Sequence, residues 1–282
     1  MPNFLLQDTS EGESLKITAA GQTDVGKVRK HNEDAFAIVR DLGLFIVSDG
    51  IGGHQAGEVA AEVVVKALPV QVAGHLKHRT AINPDEMVSI LDKAVSTLSR
   101  RLYDRASKKG ALRGMGATVA VCWIQDAVAA LAHMGDSRIY LMRDGELQLL
   151  TKDHSVSSLI EDLGRQDAGK PDEDRHQHVL TRYVGMEADV GPQVHALDLQ
   201  DGDRLMICSD GLPGSVAQDL GASVLWTEPD IRTVCKKLVD AANTAGGTDN
   251  ITVVVVQYGD WENRPEHEAG EAVSKNRSES WT

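Results

Sequence analysis

The sequence predicts an α+β fold in which the sheets are antiparallel. Its strand-like runs are short and are separated by Gly and Asp turns, a pattern typical of strands joined by hairpins. The helical patterns are grouped between these runs, whereas a parallel sheet would alternate strand and helix. Hydrophobic residues make up 41% of the 282-residue chain, which is enough to build a sizeable core.

The predicted strands follow one another along a single domain. Asp144-Gly145 is a hairpin signal between two of them, and residues 15–258 contain neither an internal repeat nor a linker. Residues 1–14 are therefore assigned to an N-terminal extension, and residues 259–282, which are polar and lack periodicity, to a disordered tail. The predicted strands are residues 15–20, 35–39, 44–48, 117–124, 127–133, 138–142, 147–150, 193–199, 204–208 and 251–258.

Two helices are predicted between the third and fourth strands. The first spans about residues 57–76, is rich in Ala and Val, and is expected to be interrupted at Pro69. The second begins at Asn83, whose side chain can cap it, and Glu86 completes the capping-box pattern. Apolar residues then recur at i, i+3 and i+4 spacing as far as Leu102, so one face of this helix is expected to lie in the core.

The second half of the chain contains one long helix and one long polar excursion. The helix is predicted to be capped near Thr227, to have Pro229 in its first turn and to run to about Ala245. Residues 155–178 form the excursion, which begins as a short helix and then becomes polar. Long loops in compact domains are commonly functional, so this segment is a candidate part of the site.

The charge balance excludes one large class of function. Asp and Glu outnumber Lys and Arg by 42 to 29, for a net charge of −13, whereas a nucleic-acid-binding protein needs a basic face. The N-terminus carries no basic segment followed by an apolar stretch, and no run reaches the roughly 18 apolar residues that cross a bilayer. We therefore expect no nucleic-acid partner, no signal peptide, no membrane segment and a cytoplasmic location.

The cysteines exclude a thiol-based attack on phosphate. They are sparse, and each lies in an apolar stretch, as expected for reduced core thiols in the cytoplasm. A cysteine-dependent phosphatase needs an arginine six positions after its thiolate to close one loop around the phosphate. Cys122, Cys208 and Cys235 are followed at that distance by Val128, Gly214 and Ala241.

Carboxylates stand at the ends of several apolar strands. Asp49 and Asp210 each follow a strand and precede a glycine, while Asp34 and Asp249 each come just before a strand. A carboxylate at the edge of an apolar strand is partly desolvated, so several together need a compensating cation. Oxygen ligands without a His/Cys spacing favour Mg²⁺ or Mn²⁺ over zinc. Spacing alone leaves open whether the four converge, because an Asp-Gly pair is often only a turn.

Arg29 and Asp136 complete the set of candidate site residues. Asp136 lies at a strand break in the stretch MGDSR. Arg29 lies five positions before Asp34, and a guanidinium can bind a phosphate dianion through two parallel hydrogen bonds. Taken without its neighbours, Arg29 would be interpreted as a solvated loop cation beside Lys27 and Lys30.

These stretches, in this order, resemble the metal-dependent PPM (2C-type) serine/threonine protein phosphatases in their bacterial form. The resemblance covers about residues 17–258, and six motifs in one order make it specific. The matching motifs are residues 23–34 (TDVGKVRKHNED), 47–54 (VSDGIGGH), 116–118 (GAT), 135–138 (GDSR), 208–212 (CSDGL) and 246–252 (GGTDNIT).

The resemblance implies a four-layer α-β-β-α sandwich of two antiparallel sheets flanked by helices, with the metals in a channel at one end. It implies two Mn²⁺ or Mg²⁺ ions per subunit and a weaker third ion at Asp136. Glu33 would hold metal-bound waters, Arg29 would grip the substrate phosphate, and residues 155–178 would be the flap. The ligands implied for the two-ion centre are Asp34, Asp49, Asp210, Asp249 and the Gly50 carbonyl.

The function implied is hydrolysis of phosphoserine and phosphothreonine in proteins, by in-line attack of a water that the two ions activate. The partners would be phosphorylated proteins, including a cognate serine/threonine kinase or its targets, and we expect a monomer. An alternative is a regulatory module that binds phosphoproteins with little turnover. Loss of a metal aspartate would mark that alternative, and none is lost. A calcium loop would show the D-x-D-x-D-G spacing, which the sequence lacks.

Two departures from the family pattern concern substrate contact and the leaving group. Pro213-Gly214-Ser215 replaces the family's usual small or acidic residues, which puts substrate contacts there in doubt. Ile51 stands where the eukaryotic branch has a histidine regarded as its general acid. We therefore expect a metal-bound water to protonate the departing alkoxide, with His54 as a bystander.

Overall fold

The chain folds into four layers, with helices on the outer faces of two stacked antiparallel sheets. This arrangement confirms the predicted α+β class and the predicted α-β-β-α sandwich. The structure, a computed structural model, describes residues 17–52, 55–77, 81–108, 114–163, 179–187 and 190–263.

The strands occur in a regular succession along the chain. They are β1 (Ile17–Asp24), β2 (Asp34–Val39), β3 (Leu44–Ile51), β4 (Gly116–Ala117), β5 (Val119–Gln125), β6 (Val128–Met134), β7 (Arg138–Arg143), β8 (Glu146–Leu149), β9 (Gln193–Asp198), β10 (Arg204–Cys208) and β11 (Ile251–Tyr258).

The helices are grouped as the sequence predicts. They are α1 (Gln55–Leu76), α2 (Pro84–Lys108), α3 (Val156–Asp162), α4 (Gly214–Val216), α5 (Ala222–Thr227) and α6 (Ile231–Thr244), with a π-helical turn (Ala217–Gly221) between α4 and α5 and 3-10 turns at Arg40–Leu42 and Trp261–Asn263.

The two sheets have the strand orders β1-β11-β10-β7-β8 and β2-β3-β5-β6-β9, and β4 adds to the second sheet beside β3. Central strands have apolar side chains on both faces because each is covered twice. In β3, Leu44 and Ile46 pack under α1 and α2, while Phe45 and Val47 face the other sheet. This period of two is what a strand between a helix layer and a second sheet requires.

Several strand boundaries differ from the prediction, and two of the differences are larger than a shift of one residue at a strand end. β1 continues to Asp24 because its last residues pair with β11, where Asp24 lies opposite Ile251. The strand predicted at residues 117–124 is divided at Thr118, since Gly116–Ala117 pairs with the end of β3 before β5 begins. Both differences arise from long-range pairing, which the local sequence does not encode.

Helix α1 runs through Pro69, so the predicted interruption is wrong. Proline removes one backbone hydrogen bond, but Leu68 and Val72 on either side of it are fully buried, and this packing keeps the helix continuous. By length and hydropathy Ala56–Leu76 is long and apolar enough to cross a membrane. In the fold, however, one face of the helix is part of the core beneath it, which is typical of a core helix in a globular domain.

The capping of the other long helices confirms one prediction and corrects another. Asn83 and Glu86 form the predicted capping box, with reciprocal hydrogen bonds of 2.9 and 3.1 Å between their side chains and backbone N–H groups. α6, however, is capped by Asp230, whose carboxylate accepts from the N–H groups of Arg232 and Thr233. Thr227 instead ends α5, so the predicted cap is placed one turn too early.

The domain extends beyond the predicted boundary at Tyr258. Trp261 is 7% exposed, and the guanidinium of Arg204 lies 3.2 Å from the centre of its ring. The first residues assigned to the disordered tail are therefore packed against the domain, which corrects that part of the prediction. Residues 264–282 lie outside the described residues, as does the predicted N-terminal extension.

Candidate active site

The candidate carboxylates come from both sheets and lie at one end of the sandwich. In the β2–β3 ladder Asp34 lies directly opposite Asp49. In the other sheet β10 and β11 are antiparallel neighbours, so Asp210, two residues after β10, and Asp249, two residues before β11, are at the same end. Like charges directly opposite each other on a sheet are destabilising, which favours a cation between them.

The strand ends that carry these carboxylates surround a cavity of about 880 Å³. Arg29 lines it, and so do all the predicted acidic residues except Asp34. The predicted site residues that line the cavity are Arg29, Glu33, Asp49, Gly50, Asp136, Asp210 and Asp249.

Asp34 is the most deeply placed of the carboxylates. Its Oδ2 accepts a hydrogen bond of 2.7 Å from the Ser209 hydroxyl, while its buried Oδ1 has no hydrogen-bond partner among the described residues. Burial raises the pKa of Asp34 to about 7, and the nearby charges of Asp210 and Asp249 raise it further against the hydrogen bonds that lower it. A buried carboxylate oxygen with no donor is the kind of group that a cation satisfies.

Burial and neighbouring charges also raise the pKa of two carboxylates that face the cavity. Burial raises the pKa of Asp49 well above its ordinary value, and the charges of Asp34, Asp210 and Asp136 add to that effect. Burial also raises the pKa of Asp136 to about 7, with Asp210 as the next largest cause. Because these groups raise one another's pKa, they repel each other as anions, and a bound cation would relieve that repulsion.

The donor set fits hard divalent ions. Carboxylates and a backbone carbonyl are the oxygen ligands that Mg²⁺ and Mn²⁺ prefer. Within the described ranges no three acidic, histidine or cysteine side chains already meet around one point.

Gly57 lets α1 begin directly against the site. A methyl group on Gly57 would overlap the Glu33 carboxylate, and one on Gly50 would overlap the Gly57 carbonyl. The carboxylate of Glu33 therefore lies against the first turn of a long helix, where the unpaired N–H groups favour negative charge. This contact brings Glu33 and Gly50 together, and the sequence analysis did not assign any role to Gly57.

Asn250 is a second residue whose role the sequence analysis missed. Its side chain is almost fully buried, and its Nδ2 donates to the carbonyls of Val25 and His31, both at 2.9 Å. Its Oδ1 accepts from the N–H of Glu33 at 2.8 Å. One amide thus fastens the loop that carries Arg29 and Glu33 to the strand end that carries Asp249. The sequence signal that could have indicated this role is the asparagine of the TDN motif.

Arg29 lies on the cavity wall, where a phosphate clamp would be needed. Its Nη2 donates to Asp249 Oδ2 at 2.6 Å, with 52% of the Arg29 side chain and 31% of the Asp249 side chain exposed. A pair this exposed contributes little to stability. The guanidinium is therefore held in the cavity by a weak contact that a phosphate could replace.

The flap region is described at its ends only. Ser155, the N-cap residue of α3, forms an antiparallel bridge with Leu180, so the two ends of the excursion meet beside the cavity. Residues 164–178 and His54 lie outside the described residues. The prediction that His54 is a bystander stays a prediction.

The three cysteines are free, and all three are buried. Burial raises the pKa of each thiol, to about 12 for Cys208 and Cys235, so none of them is a thiolate near neutral pH. The burial and raised pKa of the thiols support the prediction that no cysteine attacks phosphate, which rests on the missing arginines.

Comparison with known proteins supports the same conclusion as the geometry. The family model described as protein phosphatase 2C matches residues 26–251. The chain belongs to the protein phosphatase 2C family. Like other members of that family, it is a metal-dependent serine/threonine protein phosphatase.

The relatives are bacterial phosphatases. A serine/threonine phosphatase, stp, of Listeria monocytogenes is 32% identical over 243 residues, which is 84% of this chain and 94% of the relative. The solved PstP/Ppp phosphatase of Mycobacterium tuberculosis superposes with a TM-score of 0.74 at 31% identity, covering 88% of this chain and 100% of that one. A second PstP catalytic-domain structure, at 32% identity and the same TM-score and coverage, holds two manganese ions.

Proposed function

We propose that this phosphatase hydrolyses phosphoserine and phosphothreonine in proteins through two Mn²⁺ or Mg²⁺ ions held at the cavity end of the sandwich. The observation that carries the proposal is the meeting of carboxylates from both sheets at one cavity, where Asp34, Asp49 and Asp136 have raised pKa values. The manganese ions in the related PstP structure support the choice of metal. When bound, two such ions supply an activated water for in-line attack and neutralise charge on the phosphoryl group.

The metal ligands in this proposal come from four different strand ends. Asp49 and the Gly50 carbonyl are offered by β3, Asp210 by the end of β10, and Asp249 by the approach to β11. Asp34 contributes its buried Oδ1, which has no hydrogen-bond partner in the part of the chain that the structure describes. Because these ligands are attached at or next to the ends of four paired strands, the fold fixes their mutual positions before any ion arrives.

Two further residues act on substrate and solvent. Arg29 exchanges its weak contact with Asp249 for the phosphate and orients it for attack from the side opposite the leaving oxygen. Glu33, on the cavity wall at the start of α1, holds water in place for the reaction. Asp136 would hold a third, weaker ion, and its raised pKa supports that assignment.

The test is the metal dependence of phosphopeptide hydrolysis. We expect turnover of p-nitrophenyl phosphate and of phosphothreonine peptides that requires Mn²⁺ or Mg²⁺ and stops with EDTA. Asp210→Asn should lower kcat on the order of 10²-fold while leaving the melting temperature near wild type. The exposed Asp219→Asn, which makes the same change outside the cavity, is the control. Activity that survives complete chelation would contradict the proposal.

The partners and the compartment belong to the same proposal. Phosphorylated proteins, including a cognate serine/threonine kinase or its targets, are the expected substrates of a phosphatase with an open cavity. We propose that the enzyme acts as a monomer in the cytoplasm. The three buried, unpaired cysteines support a reducing compartment.

A further inference from the structure

One wall of the active-site cavity is apolar, although its floor is acidic. Ile51, Leu180 and Tyr183 line this wall, and each of the three residues is partly exposed. Metal binding and phosphate orientation, as proposed above, use none of these side chains. An aromatic and two aliphatic side chains left in contact with water form a surface that gains free energy when an apolar group covers it.

The ring of Tyr183 lies against a glycine that makes room for it. A Cβ atom at Gly116 would lie 2.6 Å from Cδ2 and 2.7 Å from Cε2 of the ring, which is closer than real contacts allow. Any larger residue at Gly116 would therefore displace the ring. Gly116 belongs to the GAT motif, and its contact with the ring explains why this position requires a glycine.

The backbone beside the ring ties it to the proposed metal site. Val184 and Ala117 exchange two hydrogen bonds of 3.0 and 2.8 Å, and Ala117 pairs in turn with Gly50. On the other side the N–H of Gly185 donates to the Ser99 hydroxyl of α2 at 3.0 Å. Only the two-residue strand β4 therefore lies between the backbone next to the ring and the Gly50 carbonyl, which is proposed as a metal ligand. This pairing fixes the position of the ring relative to the reacting phosphoryl group.

We propose that Tyr183 is a specificity-determining residue that selects phosphosites flanked by an apolar side chain. This inference rests on the proposed phosphatase function. With the phosphate held at Arg29 and the ions, the residue next to the phosphorylated one lies along the cavity wall. A leucine there covers Tyr183, Leu180 and Ile51. Glycine leaves these side chains in contact with water, and aspartate offers no apolar group to cover them.

The experiment compares phosphothreonine peptides that differ at one position. A reference peptide has glycine on both sides of the phosphothreonine, and two others replace either the preceding or the following glycine with leucine. The measured quantity is the ratio of kcat/KM for each leucine peptide to kcat/KM for the reference, with Mn²⁺ present. The variants are Tyr183→Ala, Tyr183→Phe and, as a matched control on α2, Tyr103→Ala, with melting temperatures taken for all three.

For the wild type we expect leucine on one of the two sides to raise kcat/KM by about tenfold, the discrimination typical of an apolar contact. Tyr183→Ala should reduce that ratio to about threefold or less, whereas Tyr183→Phe and Tyr103→Ala should keep it. An equal ratio in the wild type and Tyr183→Ala would overturn the inference. A wild type that makes no distinction on either side would overturn it too, even if Tyr183→Ala did not fold.

Different results would contradict the phosphatase proposal and the specificity of Tyr183. Hydrolysis of the glycine reference by the wild type, stopped by EDTA, supports the phosphatase proposal whatever the leucine ratio is. Absence of any hydrolysis with Mn²⁺ would contradict that proposal and the inference that rests on it.

Discussion

Two groups of buried charge in this molecule have opposite surroundings. Arg204 is fully buried in the first sheet, yet its guanidinium has an acceptor for nearly every donor and an aromatic ring over its face. The carboxylates at the cavity end are like charges that raise one another's pKa. The acceptors around Arg204 are the carbonyls of Leu225, Glu228 and Pro229 and the side chain of Gln257, at 2.5 to 3.2 Å.

The difference separates a structural charge from a functional one. Arg204 has exchanged its water for fixed dipoles, so it stabilises the domain and needs nothing further. The carboxylate cluster includes a buried oxygen of Asp34 that no donor within the described ranges contacts, so a bound cation would complete it. Fold stability and metal binding are thus assigned to different charges, and substitutions should separate them.

The largest effect is expected at Arg204. Arg204→Ala leaves three backbone carbonyls without their donors and opens space under Trp261, so the free energy of unfolding should fall by about 3–5 kcal/mol. Thermal unfolding should show a melting temperature lower by roughly 10 °C for a domain of this size. Arg232→Ala, an exposed arginine on α6, is the control. A melting temperature within a degree or two of wild type would remove the structural role of Arg204.

Arg29 is an exposed arginine whose importance should appear in catalysis instead. Arg29→Ala is expected to weaken transition-state binding by roughly 2–4 kcal/mol in kcat/KM on phosphopeptides, as for other charge-assisted contacts. Its melting temperature should stay unchanged because the pair with Asp249 is exposed. Lys27→Ala is the matched neighbour. An unchanged kcat/KM would return Arg29 to the role of a solvated loop cation.

A smaller loss of stability is expected when the end of the chain is removed. Truncation after Tyr258 removes Trp261 and its contact with Arg204, which should cost about 1–2 kcal/mol of stability. Truncation after Asn263 keeps that contact and should leave the melting temperature at the wild-type value. If the two truncated proteins have the same melting temperature, the segment that contains Trp261 does not stabilise the Arg204 site.

The smallest effect is a pH dependence in the metal-free protein. Because the folded-state pKa of Asp34 is about 7, above the ordinary 3.8, its contribution favours folding below about pH 4 and is lost as the pH rises through 7. In EDTA, Asp34→Asn should therefore melt a few degrees higher than wild type at pH 8 and lose that advantage at pH 5. Asp219→Asn should show no such difference. A variant that is less stable at pH 8 would mean that Asp34 is not under electrostatic strain.

The sequence predicted most of the fold because the pattern of apolar runs reflects the layers directly. Strands buried on both faces, such as β3 and β11, are continuous apolar runs, and α2 shows its core face at helical spacing. The predictions failed where distant packing decides the outcome. Pro69 stays helical because its neighbours are buried, and Trp261 is ordered because Arg204 lies beneath it.

For the site, the sequence supplied the residue types but not their mutual positions. Spacing could not show that Asp34 lies opposite Asp49, since that depends on the register of the β2–β3 ladder. The sequence also did not indicate that Gly57 has a role in the site, because that role depends on how closely α1 approaches Glu33. Contacts between residues far apart in the chain are visible only in the fold.

The central claim, that the carboxylate cluster holds two divalent ions, is tested most directly by calorimetric titration of Mn²⁺ into the EDTA-treated and desalted protein. The wild type and Asp219→Asn should each bind two ions per chain. Asp49→Asn should lose a site or bind at least tenfold more weakly while remaining folded, because it removes a charge that faces the cavity. Binding of two ions by Asp49→Asn with wild-type affinity would contradict the account.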